Sequence, residues 1–127
     1  MIVALDIGLK RIGVAISPDS KTALPCAPIL RKNRNQAARE VSSFLKQNGA
    51  KILVVGVPKG GNSEEEMTRR IKHFVNLLEF SGEIKFIDES FSSLEAGEMR
   101  EFSSRKKDGK LDSLAAMVIL QRYLQIS

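Results

Sequence analysis

The sequence predicts an α/β domain, and three observations carry that reading. Short apolar runs of strand length recur at 2–7, 12–16, 52–57 and 84–87. Stretches with apolar residues at helical spacing separate the later runs. Glycine, proline and asparagine stand at the joints between them. The resulting order is β-β-β-α-β-α-β-α-α, in a single expected domain spanning residues 1–127.

The chain opens on MIVALDIGLKRIGVAIS, two short strands joined by a tight turn. Ile2, Val3, Ala4, Leu5 and Ile7 form a nearly continuous apolar run, as in a strand covered on both faces. Residues 8–11 supply the reversal, and 12–16 the second strand. A third strand is expected over 23–30, where Pro25 and Pro28 place it at a sheet edge or make it irregular. The basic residues Arg31, Lys32 and Arg34 follow it. Residues 35–48 read as a helix with Ala37, Val41, Phe44 and Leu45 on one face and Gly49 as its stop. Ile52, Leu53, Val54 and Val55 form a buried strand that ends at Gly56-Val57-Pro58, before the glycine-containing loop 59–62.

Ser63 then starts a helix with Glu64, Glu65 and Glu66 in its first turn, where the helix dipole favours negative charge. Met67, Ile71, Phe74, Val75 and Leu78 mark its buried stripe, and its end is expected at Ser81-Gly82. A short strand over 84–87 finishes in Asp88-Glu89. Ser92 and Glu95 have the spacing of a capping box, so a helix is predicted from there to about Phe102. Residues 103–110, SSRKKDGK, are polar and basic and predict a mobile loop. The final helix carries the apolar run 114–120, expected to be buried almost all round.

Composition narrows the function without naming it. The 127 residues are 43% hydrophobic and 28% charged, ordinary for a globular protein. No apolar run approaches the roughly 18 residues of a membrane span, and Asp6 interrupts any signal-peptide pattern, so no membrane role is expected. The single cysteine, Cys26, excludes an internal disulfide and suits a reducing cytoplasm. Twenty basic residues against fifteen acidic give +5, which favours a polyanionic partner. Neither His73 nor Cys26 has sequence neighbours that suggest catalysis.

Acidic residues stand at three places where a surface charge would not ordinarily be put. Asp6 ends the first strand, Asp88 and Glu89 end the last, and Asp112 opens the final helix. If these strands are parallel, their carboxyl ends share one edge of the sheet, where α/β proteins collect ligands. Carboxylates converging there repel each other, and a hard divalent cation, Mg²⁺ or Mn²⁺, removes the repulsion. One or two such ions suit phosphodiester hydrolysis. Each position also has a plainer reading. Asp6 could accept hydrogen bonds from turn amides, Asp88 and Glu89 could be solvated, and Asp112 could serve only the helix dipole.

The segments LDIGLKRIGVAIS, VVGVP, DESFSSLEAGEM and LDSLAAMVILQRYL together resemble the YqgF family, also called RuvX, over essentially the whole chain. The first and last are the specific ones: an Asp-x-Gly-x-Lys-Arg-x-Gly hairpin and a terminal Asp-x-x-Ala-Ala helix. The resemblance implies an RNase H-like fold, a five-stranded mixed sheet of order 3-2-1-4-5 flanked by helices on both faces. It also implies that Asp6, Glu89 and Asp112 are the catalytic, metal-binding acids of a cytoplasmic nuclease acting in pre-16S rRNA processing, or of a Holliday-junction-resolvase-like enzyme. Two departures stand out. Ser90, Phe91, Ser92 and Ser93 follow the acidic pair where the family has Arg, a hydrophobic residue and two threonines, and the loop after Pro58 is short. Lys10 or Arg11 could substitute for the absent cation.

In a 3-2-1-4-5 sheet the strands of Asp6 and Glu89 lie two spacings apart, roughly 9.5 Å. Glu89 is preferred over Asp88 as the bridging acid because its side chain is longer, with Asp88 as substitute. Phosphate contacts fall to Lys10, Arg11, Arg105, Lys106 and Lys107. The expected partners are RNA, foremost an rRNA precursor, and branched DNA, for a monomer or weak dimer. Two other readings stay open: a nucleic-acid-binding module without catalysis, and the phosphate loop of actin-like ATPases, which the Asp-x-Gly hairpin also resembles.

Overall fold

A computed structural model describes residues 1–58, 64–88 and 113–126. Strands β1 (Ile2–Ile7), β2 (Arg11–Ser17) and β3 (Leu24–Leu30) are followed by helix α1 (Arg34–Gln47), β4 (Ile52–Val57), α2 (Glu64–Asn76), β5 (Glu83–Asp88) and α3 (Leu114–Ile126). The strands form one sheet in the order β3-β2-β1-β4-β5. β1 pairs antiparallel with β2, and β2 with β3, whereas β1, β4 and β5 are mutually parallel. The mixed sheet expected from the family resemblance is therefore the one observed, and the carboxyl ends of β1, β4 and β5 lie along one edge.

Strand alternation divides the core in two. Val3, Leu5 and Ile7 of β1, Ile12 and Val14 of β2, and Leu53 and Val55 of β4 pack with Ala37, Val41 and Leu45 of α1 and Ile71, Phe74 and Val75 of α2. Ile2, Ala4, Ala15 and Val54 face the other way and pack with Ala116, Ile119 and Leu120 of α3. β1 is apolar without interruption up to Leu5 because both of its faces are covered.

The element ends have local causes. At the start of α1, Asn33 Oδ1 accepts from the Gln36 amide at 2.8 Å while Gln36 Oε1 accepts from the Asn33 amide, a reciprocal capping box. The stop at Gly49 holds, with φ at +61°, a conformation that glycine adopts without strain. α2 ends at Asn76, five residues before the expected Ser81. The Leu77 and Leu78 amides reach back to the Phe74 and Val75 carbonyls, and these tighter i→i−3 bonds close the last turn early. β3 is the edge strand its prolines predict, and its pairing with β2 shifts register between Ile12 and Val14. In α3 the buried residues are Ala116, Val118, Ile119 and Leu120, while Leu114, Ala115 and Met117 are half-buried. No residue of the run 114–120 is exposed, in line with the burial expected around most of this helix. The helix predicted from Ser92 and the loop 103–110 lie outside the described residues.

Candidate functional site

The β1–β2 turn sets the position of Asp6. The Gly8 amide donates to the Arg11 carbonyl at 3.0 Å, and a Cβ on Gly8 would stand 2.7 Å from that same oxygen, so only glycine closes this turn. The tight reversal leaves Asp6 one residue before the end of β1 and presents Lys10 and Arg11 exposed at the tip. Asp6 is half-buried. It alternates with Ile2 and Ala4, so its carboxylate is on the α3 face of the sheet.

Both strands beside Asp6 carry glycine at its level. Gly13 of β2 is its register partner. On the other side Leu5 pairs with Val55, which puts Asp6 level with Gly56 of β4. The Asp6 carboxylate is thus flanked by two buried residues that carry no side chain.

The end of β5 lies on the same edge. Gly56 pairs with Ile87 and Val57 with Asp88. Ile84 packs with the α1–α2 core and Ile87 with the α3 core, so Asp88 is on the α1–α2 face, opposite in parity to Asp6. The pleat thus separates Asp88 from the Asp6 carboxylate, which weakens its place as substitute. β4 lies between β1 and β5, as the two-spacing estimate assumed.

The third anchor is Ser113. Fully buried at the start of α3, its hydroxyl oxygen accepts from the Val14 amide at 2.9 Å, across 99 residues of sequence. Val14 pairs with Leu5, next to the Asp6–Gly13 pair and beside the β2–β3 register shift. The bond pins the start of α3, and with it the positive end of the helix dipole, to the end of the sheet where Asp6 lies. Sequence reasoning missed Ser113 and both flanking glycines. A serine at the head of an apolar helix, needing a partner once buried, was the available sign of the first.

Glu89, Asp112, Arg105, Lys106 and Lys107 lie outside the described residues. Asp88 and Ser113, the covalent neighbours of Glu89 and Asp112, are both on the Asp6 edge. Among the described residues, no three His, Cys, Asp or Glu side chains converge as a metal site. No described helix is long and apolar enough to cross a membrane.

On the opposite face, a cleft of about 500 Å³ opens between the β1–β2 turn, the β3–α1 junction and α2, with Arg31, Arg34, Arg69 and Arg70 in its wall. Arg31 donates to the Gly8 carbonyl at 2.6 Å and lies over the Phe74 ring, 5.2 Å from its centroid. Burial, and then the nearby Arg34 charge, lower the pKa of its guanidinium.

Comparison with known proteins agrees with this architecture. A protein of Campylobacter jejuni subsp. doylei named "Putative pre-16S rRNA nuclease" is 62% identical over 121 residues, 95% of this chain and 94% of its own length. One of the same name from Sulfurovum sp. is 55% identical over 126 residues, 98% of each chain. T. thermophilus RuvC, solved in complex with a Holliday junction substrate, superposes with a TM-score of 0.64 at 12% identity, covering 99% of this chain and 96% of that one. The fowlpox virus Holliday junction resolvase does so with a TM-score of 0.55 at 18% identity, covering 99% of each. At these identities the likeness is one of fold, the RNase H-like sheet and its helices. The model of the family described as "RuvX: Holliday junction resolvase" matches residues 1–126, and with these relatives it shows that the chain belongs to the RuvX family.

Proposed function

We propose that the protein is a nuclease that hydrolyses RNA phosphodiester bonds in the precursor of 16S rRNA, in the cytoplasm, with Asp6, Glu89 and Asp112 as its acidic set. One observation carries the reading. Asp6 stands half-buried in a glycine-flanked strip at the carboxyl edge of three parallel strands, and the residues adjoining the other two acids, Asp88 and Ser113, are anchored at that edge. The names of the relatives support the substrate.

Each residue has a role in this account. Glu89 directly follows Asp88, the last residue of β5, and is the second acid of the set. Asp112 directly precedes Ser113, whose hydroxyl accepts from the Val14 amide, and is the third acid of the set. A hard oxygen-donor set of carboxylates suits Mg²⁺ or Mn²⁺, one or two ions. Such a cation, when bound, activates water and stabilises the leaving oxygen. Lys10 and Arg11, exposed on the turn beside Asp6, meet substrate phosphates, and Arg105, Lys106 and Lys107 add to that contact. Asp6 holds its carboxylate in place because its strand is covered on both faces and cannot shift register without exposing the core.

The test is cleavage of a 16S rRNA precursor with Mg²⁺ or Mn²⁺. Wild type cuts it, and Asp6→Asn lowers the rate by at least roughly a hundredfold without changing the circular-dichroism spectrum. Equal cleavage by the variant would overturn the assignment. A second reading, resolution of four-way DNA junctions, is favoured by the description of the family and by the junction-bound RuvC of the same fold. It requires a dimer that cuts two strands symmetrically. A protein that stays monomeric and leaves junctions intact removes it.

A further inference from the structure

The arginine cleft lies on the other face of the sheet from Asp6. Ile7, which lines it, alternates with Asp6, and the Gly8–Leu9 segment of the turn is shared by the two sides. Among the described residues, four arginines meet one glutamate there, Glu66, which pairs with Arg70 at 2.7 Å and leaves the other three arginines without an acidic partner in the cleft. Arg34 and Arg69 are exposed, and among the described residues neither has a carboxylate partner. Arg31 is held from two sides, by the Gly8 carbonyl and by the Phe74 ring. A guanidinium has five N–H donors, so that carbonyl bond leaves most of them for a ligand.

Uncompensated cations held close together are unfavourable unless an anion joins them. The wall is not only basic. Leu9, 68% exposed, and the half-buried Met67 give the cleft an apolar side. Its volume of about 500 Å³ lies within the roughly 300–1,000 Å³ of small-molecule sites. A planar apolar ring carrying a phosphate matches both surfaces. In a nucleic acid the ring reaches such a cleft only when its base is unpaired and unstacked.

We propose that this cleft takes up one unpaired nucleotide of a single-stranded segment, its phosphate among Arg31, Arg34 and Arg69 and its base against Leu9 and Met67. The inference rests on the nuclease reading for the identity of the polymer. It adds that the substrate carries an unpaired stretch beside the bond that is cut, crossing the β1–β2 turn from one face of the sheet to the other. The arginines then select single strand over duplex, while the acids act on the bond.

Fluorescence anisotropy of a short labelled single-stranded RNA, with the full chain and in EDTA so that nothing is cut, tests this. The single strand binds more tightly than a blunt duplex of the same sequence, and adenosine monophosphate competes with it. Arg34→Glu combined with Arg69→Glu, both on exposed helical positions, lowers affinity about tenfold or more and reduces the slope against log salt by roughly two. Arg31→Lys, which keeps the charge and loses the planar fork, lowers affinity for the single strand but not for the duplex. Wild-type binding by the double variant, or equal binding of single strand and duplex with no competition by the mononucleotide, overturns the proposal. The two readings fail separately. A wild type that never cuts the precursor, beside a double variant that loses the single strand, sinks only the nuclease reading. A wild type that cuts, beside a double variant that binds normally, sinks only this one.

Discussion

Ser113 and Asp6 show how single residues build this site. The Ser113 hydroxyl satisfies the Val14 amide inside the core, at a place where the register shift interrupts the β2–β3 ladder. Ser113→Ala keeps the shape of the helix start but strands a buried donor, and the expected cost is about 1–3 kcal/mol in urea unfolding. A variant as stable as wild type would mean that the Val14 amide finds another acceptor and that α3 is anchored elsewhere. Asp6 itself was legible from sequence, because a carboxylate closing an apolar strand needs compensation. Its surroundings were less so. Gly13 is reached by folding back one hairpin, but Gly56 comes beside Asp6 only through the parallel β1–β4 pairing, which no local pattern encodes.

Among the elements, the β2–β3 connection offers a pH test independent of the site. Asp19 Oδ1 accepts from the amides of Lys21 and Thr22 at 2.9 and 2.8 Å, and the Thr22 hydroxyl donates to Oδ2 at 3.1 Å. These donors, the Thr22 amide first, lower the Asp19 pKa from 3.8 to about 2. The folded value lies below the unfolded one, so the contribution to stability is complete above pH ~4 and is lost as pH falls through about 2. Carboxyl NMR should titrate Asp19 near 2, and Asp19→Asn should lose the Asp19 share of the stability change in that window; a titration midpoint near 4 would show that the turn does not hold the carboxylate. Element types were readable where periodicity is strong, as in β1, α1 and β4. The end of α2 was not, because the early stop comes from backbone bonds to Phe74 and Val75 with no glycine or proline to announce it. The division of α1 and α2 to one face and α3 to the other was likewise set by tertiary packing.

For the whole molecule, the sheet order brings β1, β4 and β5 to one edge and gives that edge two sides of different character. Asp6 faces the side covered by α3, while the arginines line the side covered by α1 and α2. The net charge of +5 foreshadowed a polyanionic partner, but the sequence did not reveal that Arg31 and Arg34 would meet Arg69 and Arg70 across one cleft. The central claim is that acids distant along the chain share one cation-binding site at the Asp6 edge. Anomalous scattering from a crystal soaked in Mn²⁺ measures this most directly. The account predicts manganese within roughly 2.0–2.6 Å of carboxylate oxygens of Asp6, Glu89 and Asp112. Manganese bound elsewhere, or an Asp112 carboxylate remote from Asp6, would contradict it.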